Sequence, residues 1–449
     1  MDKIKPRTMS GFQELMPQNQ VYFNEMAQKL RESFSLYGFT PLDTPLMEAS
    51  EILLAKGGGE TEKQVYRLTK GDTDLCLRYE LTASLAKYVA LHHGKLVFPF
   101  RRYEIGKSYR GERPQRGRFR EFYQADIDII GDGKLDIINE AEIPSVIYKC
   151  MTSLGLCRFC IHVNNRKVLS GFFAILEISN ATEVMRAVDK IEKIGEQKLA
   201  EHLVTDLGLT TDKAAELISF VKHQGDPFEV LGKYRGRNEM FDTGADELGI
   251  VARYMSSFGV PDTHFKIDLS IARGLDYYTG TVYETFLLDY PEVGSIGGGG
   301  RYDELAEYYT DKKLPGVGIS IGLSRLFYIL QEQQLLNPDV LSAPADVLII
   351  PMTEDLSHPI ILATQMREAG LRVQLYSEDK KFKSKVAYAD KLGVPYVAFL
   401  GEDEIKSGQV TVKDMQSGEQ TQASASLVIA GIAEKIKTRR MLPPILEAE

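Results

Sequence analysis

The clearest alternation of apolar and polar positions in the chain lies between Arg120 and Ile130. Tyr123, Ala125, Ile127 and Ile129 fall on one side, and Phe122, Gln124, Asp126 and Asp128 on the other. Successive side chains of a strand point to opposite faces, so this pattern predicts a strand with one face in a core and the other forming a polar floor. Leu75–Glu80 also reads as a strand. Leu81, Leu85, Tyr88 and Val89 then recur at helical spacing, which places Thr82 where a helix begins. Earlier, Arg31–Pro45 reads as a helix end, a turn at Gly38, and a strand stopped by Pro41 and Pro45. Pro315–Leu330 begins with Gly316, Gly318 and Gly322 alternating with Val317, Ile319 and Ile321. It then turns helical through Leu323, Leu326, Phe327 and Leu330, with Arg325 in the first turn.

Between about Arg166 and Pro261 the pattern becomes helical, rich in Glu, Lys and Ala. Strand signals return at His264–Ile271 and Val282–Leu288, followed by the glycine run Gly297–Gly300. A helical module is therefore expected to be inserted into one sheet-based domain. A polar hinge, Asn337–Pro344, precedes the rhythm strand 346–350, helix 358–369, strand 372–376, helix 384–392 and strand 396–400. Such alternation predicts a small α/β domain with a largely parallel sheet. The expected organisation is a catalytic domain in two parts, 1–165 and 262–336, a helical insertion at 166–261, and a C-terminal domain at 344–449.

A chain of 449 residues exceeds what one hydrophobic core supports, which agrees with this division. Its 43% hydrophobic and 26% charged residues are those of a globular protein. The polar start and the lack of a long uninterrupted apolar run give no membrane span or signal peptide, and imply a cytoplasmic location. With four cysteines, no disulfide framework is expected. Cys157 and Cys160 form a C-x-x-C, but the strand-like alternation of Leu156–Val163 points residues three apart to opposite faces, so no metal site is expected there.

The net charge of -9 is a global sum, whereas binding follows local fields. Residues 101–120 carry eight basic side chains against Glu104 and Glu112 alone. With its glycines and the strand that follows, this run reads as an anion-binding loop. Lys380, Lys381, Lys383 and Lys385 form a second basic cluster, suited to a solvated surface or to a phosphate backbone. Neither G-x-x-x-x-G-K-[ST] nor the dinucleotide fingerprint occurs.

If the loop 110–120 and the polar strand face form one pocket, cations for a polyphosphate lie beside carboxylates for an amine or imidazole. An amino-acid-activating enzyme needs such a site. Transfer to an α-phosphate builds negative charge that the planar guanidinium fork stabilises well, and Arg110, Arg273 and Arg325 are the candidates. Here a resemblance becomes specific. Tyr109-Arg110-Gly111-Glu112-Arg113-Pro114-Gln115-Arg116-Gly117-Arg118 resembles motif 2 of class II aminoacyl-tRNA synthetases in its histidyl version. The run from Gly316 to Leu326 resembles motif 3, and the region ending at Pro45 resembles motif 1. Arg273-Gly274-Leu275-Asp276-Tyr277-Tyr278 and Gly299-Gly300-Arg301-Tyr302-Asp303 resemble signatures of the histidyl-tRNA synthetase family within that class.

The resemblance implies a mixed, mainly antiparallel catalytic sheet flanked by helices, a C-terminal anticodon-binding-like domain, and a symmetric homodimer built through motif 1. It implies ATP, L-histidine and histidine tRNA as substrates, a histidyl-adenylate intermediate, and Mg2+ with the polyphosphate. Arg110 would grip the α-phosphate, Glu112 and Phe122 would receive the adenine, Arg325 would hold the γ-phosphate, and Arg273 would be the catalytic cation. Glu80, Thr82 and Gln124 would meet the amino and carboxylate end of histidine, with Asp128, Tyr277 and Tyr278 around the imidazole. Arg113 and Gln115 would remain for the tRNA acceptor end. The pattern departs at Asp128, where many bacterial members carry Glu. A side chain shorter by one methylene must change its reach or recruit a water.

Two other readings compete. A catalytically silent paralogue would typically lack the terminal domain and erode the arginines, both of which are present. A class II enzyme for another amino acid would have a similar terminal domain, but RGLDYY and the acidic strand face argue against it.

Overall fold

The alternating segment forms a strand that is paired along its length on both sides. In chain order the strands of the larger unit are β1 Thr40–Pro41, β2 Met47–Ala49, β3 Arg67–Lys70, β4 Thr73–Leu77, β5 Phe100–Tyr109, β6 Glu121–Ile130, β7 Phe159–Asn165, β8 Phe265–Ile267, β9 Thr281–Leu287, β10 Gly297–Tyr302 and β11 Gly316–Ile321. The structure, a computed structural model, describes residues 3–55, 60–272, 277–336 and 342–441. It divides into two units, one of residues 27–334 with 1–13, the other of the residues from 335 onward with 14–26.

The main sheet runs β1-β5-β6-β11-β10-β9-β7-β8, and β2-β4-β3 form a small separate sheet. Only the outer pairs β1/β5 and β7/β8 of the main sheet are parallel; the inner pairs are antiparallel. The expected mixed, mainly antiparallel sheet is thus what the chain builds. Register sets the floor of the site. Gln124, Asp126 and Asp128 of β6 face Gly106, Glu104 and Arg102 across β5, and Asp126 and Asp128 face Ser320 and Gly318 across β11. The glycine run is a strand, β10, packed between β9 and β11. A Cβ on Gly299 would lie 2.1 Å from the Gly318 carbonyl oxygen, so the run supplies close backbone approach where side chains would not fit. Cys157 is exposed and Cys160 is buried in β7.

Helices Arg166–Ile175, Ala181–Val188, Glu196–Thr205, Thr211–Val221, Pro227–Tyr234 and Glu239–Ser257 follow β7. Four begin at side-chain caps: Asn165, Thr210, Asp226 (with Pro227 after it) and Asn238 each accept from a backbone N–H of the first turn. Their shared core is aromatic, with the rings of Phe172 and Phe220 stacked at 3.9 Å and Tyr234 and Phe241 set against them.

In the second unit, β12 Val347–Met352, β13 Val373–Leu375, β14 Tyr396–Gly401, β15 Gln409–Asp414 and β16 Gln420–Ser424 form a sheet ordered β13-β12-β14-β15-β16. The strands and helices expected from the rhythm are present, but the sheet is mixed rather than largely parallel. β12 is parallel to β13 and β14, whereas β14, β15 and β16 are antiparallel. The extra hairpin turns at Gly418, with φ 76°, and only Val410 and Val412 of β15 enter the core, so its apolar signal is short. β12 and β14 are buried on both faces, with Val347, Ile349, Ala398 and Leu400 on one side and Leu348, Ile350, Val397 and Phe399 on the other.

Helix Arg166–Ile175 crosses helix Glu239–Ser257 at Gly171, where an added Cβ would lie 2.4 Å from the backbone nitrogen of Phe241. Backbone cannot yield as a side chain can. Gly171→Ala is expected to destabilise the helical module by roughly 1–3 kcal/mol, read as a lower midpoint in urea unfolding, with histidine affinity little changed.

Candidate active site

Two adjoining cavities lie over the middle of the main sheet. The inner one, of about 170 Å³, is lined by Glu80, Thr82, Arg110, Gln124, Asp126, Asp128, Tyr277 and Tyr278, with Tyr283, Glu284, Tyr302 and Ser320 completing the wall and Gly298, Gly299 and Gly318 the floor. The outer one, of about 340 Å³, is lined by Arg110, Glu112, Phe122 and Arg325 among others. Arg110, Gln124, Glu284, Gly298 and Ser320 belong to both. The residues expected for an amino acid and those expected for a nucleotide are therefore sorted into two chambers with one shared wall.

Each side chain has a local reason for its position. Glu80 sits in the turn after β4, just before helix Thr82–His92, and is buried. The Arg110 guanidinium leaves the end of β5, donates from Nε to the Tyr79 carbonyl at 3.0 Å, and lies 5.3 Å from the Phe122 ring centroid. Arg325, in the first turn of helix Leu323–Glu332, donates to the Ser295 carbonyl at 2.6 Å and to that of Val293. The Tyr277 ring packs on Tyr278 at 4.8 Å and on Tyr302 at 5.8 Å. Arg113 and Gln115 are exposed on the loop between β5 and β6. Gln115 opens with Arg116 and Arg118 onto a third, much larger cleft of about 1600 Å³. Arg273 lies outside the described residues.

The basic run is not one anion-binding loop. Residues 100–109 are strand, and Arg102 is fully buried with Nη2 2.7 Å from Asp128 Oδ2. Arg101 pairs with Glu142, Lys107 with Glu121, and Arg116 with Glu332. Arg120 donates to the Glu112 and Ser10 carbonyls. Only the stretch after Tyr109 is a loop, and Arg110 and Arg118 are the two that line the outer cavity. Counting charges along the chain could not separate strand from loop.

Asp126, Arg102, Tyr302, Ser320 and Glu284 were not singled out as site residues. The first was visible on the polar face of β6, and Tyr302 lay within a quoted signature; nothing local marked Glu284. Asp128 is held at both oxygens, Oδ2 by Arg102 and Oδ1 by the Tyr302 hydroxyl at 2.5 Å. Gln124 donates to Ser320 Oγ at 2.7 Å. Among the described residues, Glu80 Oε1, Gln124 Oε1, Asp126 Oδ1 and, despite its closeness to Arg102, Asp128 Oδ2 are buried acceptors of this cavity without a hydrogen-bond partner. Burial pushes the Asp126 carboxyl up to about 8 against the pull of Arg102, and that of Glu80 up to about 7 against the pull of Arg110. A cavity walled by unpartnered acceptors is chemically a receptor for N–H donors, since such groups are costly to leave unpaired.

A mixed sheet carrying these two chambers, in one chain with a small α/β unit, has the architecture of a class II aminoacyl-tRNA synthetase. Residues 11–326 match the family model of histidyl-tRNA synthetase, and residues 346–435 match that of an anticodon binding domain. The chain is 53% identical to the histidine–tRNA ligase of Clostridium tetani, covering 94% of this chain and 97% of that one. It is 43% identical to that of Finegoldia magna, covering 97% and 100%. The crystal structure of histidyl-tRNA synthetase from Nostoc sp. PCC 7120 matches with a TM-score of 0.86 at 38% identity, covering 97% of this chain and all of that one. The chain belongs to the histidyl-tRNA synthetase family, ligases that charge tRNA with histidine at the expense of ATP.

The raised carboxyls give the site a pH signature. An acid whose folded-state value exceeds its unfolded value of about 4 contributes stability while protonated, and that contribution is lost as pH rises through the folded value. For Glu80 and Asp126 the window runs from about pH 4 to the values of about 7 and about 8. In the absence of ligand, Asp126→Asn should lose less thermal stability than the parent between pH 5 and 8.5, the gap reaching on the order of a few degrees. Parallel melting curves for the two proteins would mean that Asp126 is ionised throughout.

Proposed function

We propose that the two chambers carry out the first half of tRNA charging, in which histidine and ATP form histidyl-adenylate. The shared wall supports this reading. Arg110 borders both chambers, so a carboxylate in the inner one faces an α-phosphate in the outer one across a single guanidinium. A histidine carboxylate oxygen attacks the α-phosphorus, the bond to the bridging oxygen of the leaving group breaks, and pyrophosphate departs. In the second half the terminal tRNA hydroxyl attacks the acyl carbon and AMP leaves.

In this reading Arg110 holds the α-phosphate, Glu112 and Phe122 receive the adenine, and Arg325 holds the γ-phosphate. Arg273 stabilises the charge that grows on the phosphoryl oxygens. Glu80, Thr82 and Gln124 take the amino and carboxylate end of histidine, while Asp128, Tyr277 and Tyr278 surround the imidazole. Arg113 and Gln115, exposed beside the large cleft, meet the acceptor end. The unit after residue 344 takes the anticodon, and the helical segment 166–261 acts as a separate module within the catalytic domain.

Mg2+ would enter with the nucleotide and neutralise phosphate charge. It is commonly held by one or two carboxylates and the phosphates themselves, and Glu284, on the shared wall, supplies such a donor. Among the described residues no group of three or more His, Cys, Asp or Glu forms a metal cage. A homodimer and a cytoplasmic location complete the proposal. Among the described residues no helix is long and apolar enough to cross a membrane.

The direct test is ATP–pyrophosphate exchange without tRNA, offering single amino acids. Histidine alone should support it; exchange with proline or threonine instead would overturn the assignment. Arg273→Ala should lower the rate of histidine-dependent exchange by about 100-fold or more while histidine affinity changes much less. A purely structural arginine would lower the melting temperature instead and leave the turnover of folded enzyme intact.

A further inference from the structure

Tyr277 and Tyr278 border the inner chamber from a stretch of chain that is not strand, since β9 begins only at Thr281. Ladder pairing does not fix them there, so their placement depends on what holds the chain that follows. The Thr279 N–H donates to the Arg301 carbonyl at 2.8 Å, and its hydroxyl donates to Asp303 Oδ2 at 2.5 Å. Two residues on, the Thr281 hydroxyl donates to Glu140 Oε2 at 2.5 Å. One guanidinium joins the two carboxylates: Arg301 donates from Nη1 to Glu140 Oε1 at 2.7 Å and from Nε to Asp303 Oδ1 at 3.0 Å. Each carboxylate thus gives one oxygen to the arginine and the other to a threonine of the segment 279–281. Between the threonines the backbone passes close against the arginine, where a Cβ on Gly280 would lie 3.0 Å from Arg301 Cδ.

This clamp sits behind the chamber rather than in it. Glu140, in the first turn of helix Ile138–Ser153, is buried, and neither it nor Thr279, Arg301 or Asp303 lines the cavity. Tyr302, between Arg301 and Asp303, does line it, and carries the ring on which Tyr277 packs at 5.8 Å. Gly300, just before Arg301, receives the Tyr278 ring: a Cβ there would lie 3.0 Å from Tyr278 Cδ1. We propose that Arg301, Glu140, Asp303 and Thr279 are positioning residues that hold the Tyr277 and Tyr278 hydroxyls at the inner chamber and so set the affinity for histidine. The proposal rests on the reading of that chamber as the histidine site. It also gives the two quoted signatures a joint task, because Arg301 and Asp303 of the second hold the chain that leaves the tyrosines of the first. A hydroxyl fixed before the ligand arrives needs no ordering on binding, and one displaced by about 1 Å is out of hydrogen-bond range.

The experiment measures the KM for histidine and the KM for ATP in ATP–pyrophosphate exchange, with melting temperatures on the same preparations. Thr279→Val keeps the size and branching of the side chain but removes the hydroxyl that reaches Asp303. It should raise the histidine KM by about 10-fold and leave the ATP KM within about 2-fold of the parent. Thr279→Ser retains the hydroxyl and should hold the parent values. Arg301→Lys keeps the charge but cannot join both carboxylates through a planar fork, and should raise the histidine KM at least as far as Thr279→Val does. Non-additivity is the decisive readout. With both tyrosine hydroxyls removed, in Tyr277→Phe/Tyr278→Phe, the histidine KM is already high, and adding Thr279→Val should raise it by less than about 2-fold more.

If the clamp only stabilised the fold, Thr279→Val would lower the melting temperature with the histidine KM unchanged, or with both KM values raised alike, and the proposal would be overturned. It would also be overturned if Thr279→Ser behaved like Thr279→Val, or if Thr279→Val raised the histidine KM by its full factor in the variant without tyrosine hydroxyls. A histidine KM unmoved in Tyr277→Phe/Tyr278→Phe would strike the role given to the tyrosines, and the proposal with it. Failure of the parent protein to exchange with histidine at all would strike the function assigned to the chamber, and is read before any variant is made.

Discussion

The catalytic unit is organised around a line of buried charges that crosses its central sheet. Arg78 Nη1 lies 2.7 Å from Glu104 Oε1, Glu104 Oε2 lies 3.7 Å from Arg102, and Arg102 lies 2.7 Å from Asp128. All four side chains are at most 2% exposed. Taking charges out of water is expensive, and removing one member of such a line strands its partner at a cost of about 3–5 kcal/mol. The surroundings compensate. Arg78 also donates to the carbonyls of Thr44 and Lys107, each at 2.7 Å, and the Thr44 backbone and hydroxyl both donate to Glu104. One guanidinium thereby ties the turn after β4 to the segment after β1 and to β5. Gly106 makes room for it, since a Cβ there would sit 2.3 Å from Arg78 Nη2.

This line fixes the chemistry of the inner chamber as well as its shape. Two guanidiniums stand against the carboxyls of Glu104, Asp126, Asp128 and Glu80, so the cavity is acidic on balance even though Arg110 borders it. Burial raises Asp126 and Glu80, with the neighbouring Asp128 charge adding to it against the pull of Arg102 and Arg110. Volume comes from the opposite device. Gly298, Gly299 and Gly318 carry no side chain where β10 and β11 pass beneath the cavity, so a substrate can lie directly on the sheet. Charge from one strand pair and empty space from the next define a small polar receptor beside a larger nucleotide chamber.

Much of this was legible in the sequence, and the reasons differ from residue to residue. The period-two pattern of Glu121–Ile130 fixed both the strand and its polar face, because one buried face specifies register strongly. Thr82 at a helix start and Arg325 in a first turn followed from helical spacing. The basic run 101–120 misled because linear charge density carries no information about cross-strand partners: Arg102 and Glu104 neutralise groups on β6 and on the turn after β4, and neither contacts solvent. The terminal sheet was read as largely parallel because only its β–α repeats have long apolar strands. The hairpin β15–β16 buries few residues and so leaves little trace. Asp126 was legible as one of four alternating polar residues, but that it lines the cavity beside Asp128 depends on the cross-strand register.

That last point bears on how specificity is built. A carboxylate chosen by its position in a motif is a candidate contact; whether it can serve depends on the lone pairs its neighbours leave free. At Asp128 a guanidinium and a tyrosine hydroxyl flank the side chain, yet Oδ2 still lacks a hydrogen-bond partner. Two residues earlier on the same strand, Asp126 is equally buried and likewise keeps one oxygen without a hydrogen-bond partner. The side chain that is costlier to bury unpaired has the most to gain when a ligand arrives, and a ligand lacking the N–H leaves that cost in place. A pocket of unsatisfied buried acceptors favours a ligand that brings N–H donors over one of like shape that does not.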